Sequence, residues 1–106
     1  MKVRYLLAMT AALSVSTAAF AADDGEALFK KSSCGSCHTA AKKSVGPSLK
    51  DIAAKYKDDK TAQAKLETKV RNGGSGSFGA MPMPATAKSV SDGDIKAIVS
   101  WVLTQK

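Results

Sequence analysis

Two cysteines and the only histidine of the chain lie within five residues, at Cys34, Cys37 and His38, in the pattern C-x-x-C-H. Two thiols at this spacing can add to the two vinyl groups of one porphyrin, which fixes the ring against a short stretch of backbone. The histidine then lies under the iron, where one ring nitrogen can bind the metal and the other can donate a hydrogen bond. The pattern therefore predicts covalent attachment of one haem c.

Three other uses of these residues are weaker. A redox dithiol requires a βαβ context that shapes its thiolate pKa, and no strand pattern surrounds the two cysteines. A closed zinc site needs four ligands, whereas the chain offers two cysteines and one histidine. A purely structural disulfide would not explain why the histidine directly follows the second cysteine. Haem attachment is favoured over all three.

A second candidate for the iron lies in the segment Met81-Pro82-Met83-Pro84. The prolines fix φ and remove two backbone donors, so the segment cannot be helix interior or central strand. A thioether held between prolines suits a soft sixth ligand of haem iron, whereas packing of Met81 and Met83 against the porphyrin is the alternative. The C-x-x-C-H pattern upstream favours ligation, with Met83 as the leading candidate.

The turn Val45-Gly46-Pro47 follows the histidine. Pro47 has no N–H, but its carbonyl can accept a hydrogen bond. If that carbonyl faces His38, it is the acceptor that an iron-bound imidazole requires for its second nitrogen. A simple turn before the next helix is the alternative.

The first 21 residues have the pattern of a secretory signal peptide. Lys2 and Arg4 precede an uncharged, mostly apolar run, and Ala19-Phe20-Ala21 provides an A-x-A cleavage site. An uncleaved anchor is the alternative, but the many Ala, Ser and Thr residues make the run a weak one. We expect cleavage after residue 21, with residues 22–106 forming one domain that has no stable association with the membrane.

Charge and size limit the classes of function. Removal of Lys2 and Arg4 lowers the net charge from +7 to +5. A basic surface can bind nucleic acid or an acidic protein. Nucleic acid is disfavoured, because the chain is expected to be exported and has few aromatic residues on which bases could stack. Docking to an acidic redox partner is the better interpretation. Since a domain of this size buries only about two-thirds of the surface of its unfolded chain, we also expect it to need its cofactor to fold.

Helical periodicity accounts for most of the remaining chain. Apolar spacing and capping residues predict helices over Glu26–Lys31, over Leu49–Tyr56 after Ser48, over Ala62–Val70, and from Ser91 through Val102. Gly73–Gly79 has the composition of a flexible linker. Too few residues follow it to build a second core, so we expect a surface loop and not a linker between domains.

The chain resembles the small class I bacterial cytochromes c, in particular the cytochrome c-551/c-552 group. The matching segments run over most of residues 22–106, in this order: A-L-F-K, C-x-x-C-H, V-G-P-S, R-N-G-G, P-M-P and W-V-L-T-Q-K. The resemblance implies an all-α fold of four or five short helices around one covalent haem. It also implies His38 and Met83 as axial ligands, and electron transfer in the periplasm.

Two positions depart from this group. Phe78 lies where many members carry a tryptophan that can donate to a haem propionate, and phenylalanine has no such donor. Thr86 lies where some members carry an asparagine near the methionine ligand, which leaves the hydrogen bonding of the thioether open. Both changes concern the tuning of the haem.

The sequence thus predicts a monomeric, soluble electron carrier that is not an enzyme. Because two axial ligands would fill both open positions on the iron, no substrate site remains. Redox proteins are the expected partners, docking briefly at an exposed haem edge. The rival hypothesis is a haem enzyme or gas sensor in which the Gly73–Gly79 loop lets Met83 leave the iron.

Overall fold

A computed structural model describes residues 22–106, so the predicted signal peptide at residues 1–21 lies outside the described part of the chain. Four α-helices follow one another: α1 (Ala22–Lys31), α2 (Leu49–Lys55), α3 (Ala62–Asn72) and α4 (Asp92–Val102). A single 3₁₀ turn occupies Cys34–Ser36. Over residues 22–106 the extended pairing consists of one isolated antiparallel bridge, and no helix is long and apolar enough to cross a bilayer. The all-α prediction of four or five short helices is confirmed.

Helices α1 and α4 pack closely at a glycine. A Cβ atom on Gly25 would lie 2.4 Å from the Ala97 carbonyl oxygen and 2.5 Å from Cβ of Trp101. Nearby, the rings of Phe29 and Trp101 are tilted against each other at a centroid distance of 5.1 Å. The sequence predicted a first helix that starts at Glu26, but α1 begins at Ala22 and includes Gly25. The close contact with α4 requires a residue without a side chain at this position.

The N-terminus of α2 is joined to the loop after His38. The Oγ atom of Ser48 accepts a hydrogen bond from the Asp51 N–H at 3.1 Å, as the capping pattern predicted. The N–H groups of the two residues before Asp51, Leu49 and Lys50, donate to the carbonyls of Thr39 and Ala40 at 2.9 and 3.1 Å. These bonds satisfy the free donors of the first helical turn and fix the chain that leaves the histidine.

Both longer C-terminal helices have defined ends. Ser91 caps α4 through a hydrogen bond from the Asp94 N–H at 3.1 Å. Before α3, Asp59 accepts hydrogen bonds from the Thr61 N–H at 2.8 Å and from its hydroxyl at 2.6 Å. Gly73 ends α3 with a φ of +68°, a conformation that glycine adopts without strain.

The core lies between α1, α2 and α4. Its connected cluster of buried residues consists of Phe29, Leu49, Ile52, Ile98 and Val102. Helix α3 packs against α4, where Gln63 donates to the Lys96 carbonyl at 3.1 Å and accepts from the Ser100 hydroxyl at 3.2 Å. The four helices thus form a shell whose interior remains open toward the cysteine segment.

Candidate haem site

The 3₁₀ turn brings the two cysteines and the histidine together. The N–H groups of Cys37 and His38 both donate to the Cys34 carbonyl, at 3.2 and 3.0 Å. Ser33 precedes the turn with a φ of 62°, which redirects the chain after α1. All three predicted residues are half-buried and line the same cavity. The short turn therefore presents two thiols and one imidazole to one space.

The imidazole of His38 is oriented by the turn that follows it. Its Nδ1 lies 2.8 Å from the Pro47 carbonyl oxygen, so a proton on Nδ1 leaves Nε2 unprotonated and able to bind a metal. The Gly46 N–H donates to the Cys37 carbonyl at 2.9 Å. A Cβ on Gly46 would lie 2.7 Å from Cε1 of His38, so only glycine lets the backbone pass beneath the ring.

The two methionines of the proline-rich segment differ in burial and in backbone support. Met83 is half-buried, whereas Met81 is 68% exposed, although both line the cavity. The backbone of Met83 pairs with Gly74 through two hydrogen bonds, at 2.9 and 2.8 Å. The backbone that carries the Met83 thioether is therefore held in place by its pairing with Gly74.

One cavity of about 750 Å³ joins these groups. This volume lies within the range of about 300–1,000 Å³ that small-molecule and cofactor sites occupy. Apolar side chains from all four helices line it, including Phe29, Ile52, Leu66, Val70, Ile98 and Val102. The cavity suits a large and mostly apolar group, with the His38 nitrogen and the Met83 sulfur in residues of its wall.

Comparison with known proteins agrees with this geometry. Residues 22–106 match the family model for cytochrome c. Cytochrome c-552 of Nitrosomonas europaea is 46% identical over 91% of this chain and 91% of its own length, and cytochrome c-551 of Pseudomonas aeruginosa is 44% identical over 80% of each. The chain belongs to the cytochrome c family. A crystal structure of Nitrosomonas europaea cytochrome c552, 48% identical, superposes with a TM-score of 0.72 over 76% of this chain and 99% of that one.

This cytochrome therefore belongs to the small class I group, with haem c as its cofactor. Its residues fit that cofactor. Cys34 and Cys37 are free thiols at the required spacing, and the cavity beside them has apolar walls. The pKa of the Cys34 thiol is raised above its usual 9.0, mainly because the thiol is partly buried. A redox dithiol needs a lowered thiol pKa, so this environment argues against that alternative.

Phe78, where the resemblance implies a tryptophan in many members, lies at the cavity wall. Phe78 contacts Tyr56 edge to face at a centroid distance of 6.5 Å. The Nζ atom of Lys55 lies 4.4 Å from the centroid of the Phe78 ring and also donates to the Ser77 carbonyl. The phenyl ring is thus held by an aromatic and a cation–π contact where a hydrogen bond to a propionate is impossible.

The exposed large apolar side chains lie at the cavity mouth. Val45, Phe78 and Met81 are 53%, 39% and 68% exposed, and all three line the cavity. Lys31 and Lys43 are exposed and line it as well. The mouth therefore combines apolar contact area with positive charge.

The sequence prediction missed the positional role of two glycines. The sequence placed Gly46 in a turn and Gly73 at the start of a surface loop, but each glycine also makes room for a candidate ligand or its segment. A Cβ on Gly73 would lie 2.3 Å from the Met83 carbonyl oxygen. The signal available in the sequence was only that each glycine stands near a candidate ligand or its loop.

Proposed function

We propose that this cytochrome is a one-electron carrier in which Cys34 and Cys37 attach the haem and His38 and Met83 are its axial ligands. The observation that carries the proposal is that His38 and Met83 line one apolar cavity, each held by hydrogen bonds of its own. When bound, the haem supplies an iron that changes between the ferrous and ferric states. The protein supplies two fixed ligands for both states.

The polypeptide contributes three physical effects. The Pro47 carbonyl accepts the Nδ1 proton of His38, which fixes the ring and increases the basicity of Nε2. A neutral thioether favours the ferrous state and raises the reduction potential relative to harder ligands. The mostly apolar wall offers few polar groups to the haem. These effects keep the ligand set the same in both oxidation states, so an electron can enter and leave with little rearrangement.

Filled axial positions favour a carrier over an enzyme. If His38 and Met83 both held the iron, no position on it would remain for substrate or gas. Partners therefore need only approach the haem edge, and we place that approach at the mouth formed by Val45, Phe78 and Met81. Brief redox encounters bury little surface, and the nearby lysines would steer an acidic partner to this face.

The compartment follows from the same proposal. Cleavage after residue 21 would release a soluble, monomeric domain of residues 22–106 into the periplasm. The A-x-A pattern at Ala19-Phe20-Ala21 and the two cysteines of the haem motif support export. Mass spectrometry of the protein purified from cells would test this directly, since the proposed chain starts at Ala22 and carries one haem.

A redox titration combined with carbon monoxide exposure tests the carrier function. We expect reversible one-electron behaviour and no change in the spectrum of the reduced protein when carbon monoxide is added at neutral pH. Ready binding of carbon monoxide by the reduced protein would contradict the proposal and favour the gas sensor or haem enzyme.

A further inference from the structure

We propose that Arg71 is a positioning residue that holds the segment of residues 83–90, which contains Met83, from outside the cavity. The proposal rests on the ligand role of Met83 set out above. It assigns to one side chain the control of how readily the thioether leaves its place.

Arg71 lies in the last turn of α3, and its side chain is 26% exposed. Its Nη1 donates to the Ala87 carbonyl at 3.2 Å and lies 3.5 Å from the Thr86 carbonyl. Its Nη2 donates to the Val90 carbonyl at 2.6 Å. One planar guanidinium therefore binds several backbone carbonyls of a single segment, which a lysine with one ammonium group cannot reproduce.

The same guanidinium also pairs with the first residue of α4. Its Nε and Nη2 lie 3.2 and 2.8 Å from Oδ1 of Asp92. Since the Asp92 side chain is 94% exposed, water screens this ion pair and it contributes little. The carbonyl contacts are the part of the network that matters for position.

The segment that Arg71 holds is continuous with Met83. The Thr86 N–H donates to the carbonyls of Val70 and Arg71 at 3.2 and 3.3 Å, three residues after the Met83 bridge to Gly74. Pro84 lies between these two attachments and restricts the backbone further. A displacement of Thr86 is therefore passed on to Met83 over a short and stiff stretch.

The held residues also form part of the haem cavity. Thr86, Ala87 and Val90 line it, whereas Arg71 is not among the lining residues. Arg71 thus lies behind the wall and can affect an iron ligand only through this backbone.

The test is a titration of the oxidised holoprotein with imidazole, which competes with a methionine that has left the iron. The apparent affinity rises in proportion to the fraction of molecules in which Met83 is displaced. We expect Arg71→Gln to bind imidazole about tenfold more tightly than the natural protein, the size expected for loss of charge-assisted hydrogen bonds. Arg71→Lys should give a smaller increase, and Asp92→Asn should stay within about twofold.

Gln63→Ala is the matched control. Gln63 lies on the same helix and also joins α3 to α4 through side-chain hydrogen bonds, but it contacts Lys96 and Ser100. We expect this variant to lower thermal stability and to leave imidazole affinity within about twofold. Equal increases in Gln63→Ala and Arg71→Gln would show general loosening and overturn the proposal, as would an unchanged affinity in Arg71→Gln.

The outcome also separates this proposal from the one on which it rests. If the natural protein lacks the absorption band of thioether-bound iron, Met83 is not the ligand and both proposals fail. If the band is present and both Arg71 variants bind imidazole as the natural protein does, only the role of Arg71 is rejected. Should Arg71→Gln fail to yield holoprotein, Arg71→Lys decides, and an affinity equal to that of Asp92→Asn rejects the role.

Discussion

At the scale of single residues, the environment of His38 is set by what is missing at Gly46 as much as by what is present at Pro47. The ring accommodates a hydrogen bond at Nδ1 only because no side chain occupies the space beneath it. A histidine with this restraint keeps one tautomer and one orientation. The glycine therefore acts on the proposed ligand without touching the metal.

Gly46→Ala should disturb this arrangement. The added methyl would lie 2.7 Å from Cε1 of His38, so the ring must shift and its bond to Pro47 must weaken. We expect a loss of about 1–3 kcal/mol in the stability of the holoprotein. The reduction potential should rise, because a less basic imidazole stabilises ferric iron less. Thermal unfolding and a redox titration measure both, and unchanged values would contradict this role of Gly46.

Gly93→Ala is the control for that experiment. A Cβ on Gly93 would have its nearest neighbour at 3.8 Å, which is an ordinary contact. Alanine is also favoured over glycine inside a helix. The control should be neutral or slightly stabilising, with no change in potential.

The sequence pointed to the residues of the candidate site but not to the contacts that hold them in place. Cys34, Cys37 and His38 form a local pattern, so their proximity does not depend on the fold. Met83 is distant in sequence, and the preference over Met81 depended on flanking prolines and on resemblance to a family. The structure adds a difference in burial and backbone pairing that the sequence cannot provide. Met83 is half-buried and its backbone pairs with Gly74, whereas Met81 is 68% exposed.

At the scale of elements, the contact between α1 and α4 depends on a close approach at Gly25. We expect Gly25→Ala to destabilise the protein by about 1–3 kcal/mol, because the new methyl would overlap Ala97 and Trp101 and push the helices apart. This cost exceeds the gain of up to about 1 kcal/mol that alanine gives in a helix. Thermal unfolding measures it, and a stabilised variant would show that the helices can separate freely.

The turn before α3 gives a dependence on pH. Hydrogen bonds from Thr61, first from its hydroxyl, and from Lys65 lower the pKa of Asp59 from 3.8 to about 2. Since the pKa is lower in the folded state, the stabilisation is present above the ordinary pKa and is lost as pH falls through about 2. Asp59→Asn should unfold at a slightly lower temperature at neutral pH. A difference from the natural protein that persists unchanged at pH 2 would contradict this.

Helix positions followed well from local chemistry, whereas contacts between helices did not. The caps at Ser48 and Ser91 formed as their sequence patterns predicted. The first helix was predicted from Glu26, whereas α1 includes Gly25, where the close contact with α4 outweighs the low helix propensity of glycine. The partners of Arg71 lie 15 to 21 residues later in the chain, and no local pattern indicates them.

At the scale of the whole molecule, side chains from all four helices line one cavity of about 750 Å³. Without a bound group, the atoms that line this cavity would lack packing partners, which would be costly. In this cytochrome the haem supplies the missing part of the core.

The protein prepared without haem should therefore be largely unfolded. The measurement is near-ultraviolet circular dichroism of the haem-free protein, followed through thermal unfolding. We expect little fixed aromatic signal, although Phe29 and Trp101 are in contact in the folded structure. A cooperative melt with a native-like signal would show that the shell of helices is stable without its cofactor.

The optical spectrum of the oxidised protein tests the central claim most directly, because iron bound to a thioether gives a weak band at the red edge of the visible range. We expect this band at neutral pH in the natural protein and in Met81→Ala, and its loss in Met83→Ala. Absence of the band from the natural protein, or its loss in Met81→Ala with retention in Met83→Ala, would contradict ligation of the iron by His38 and Met83.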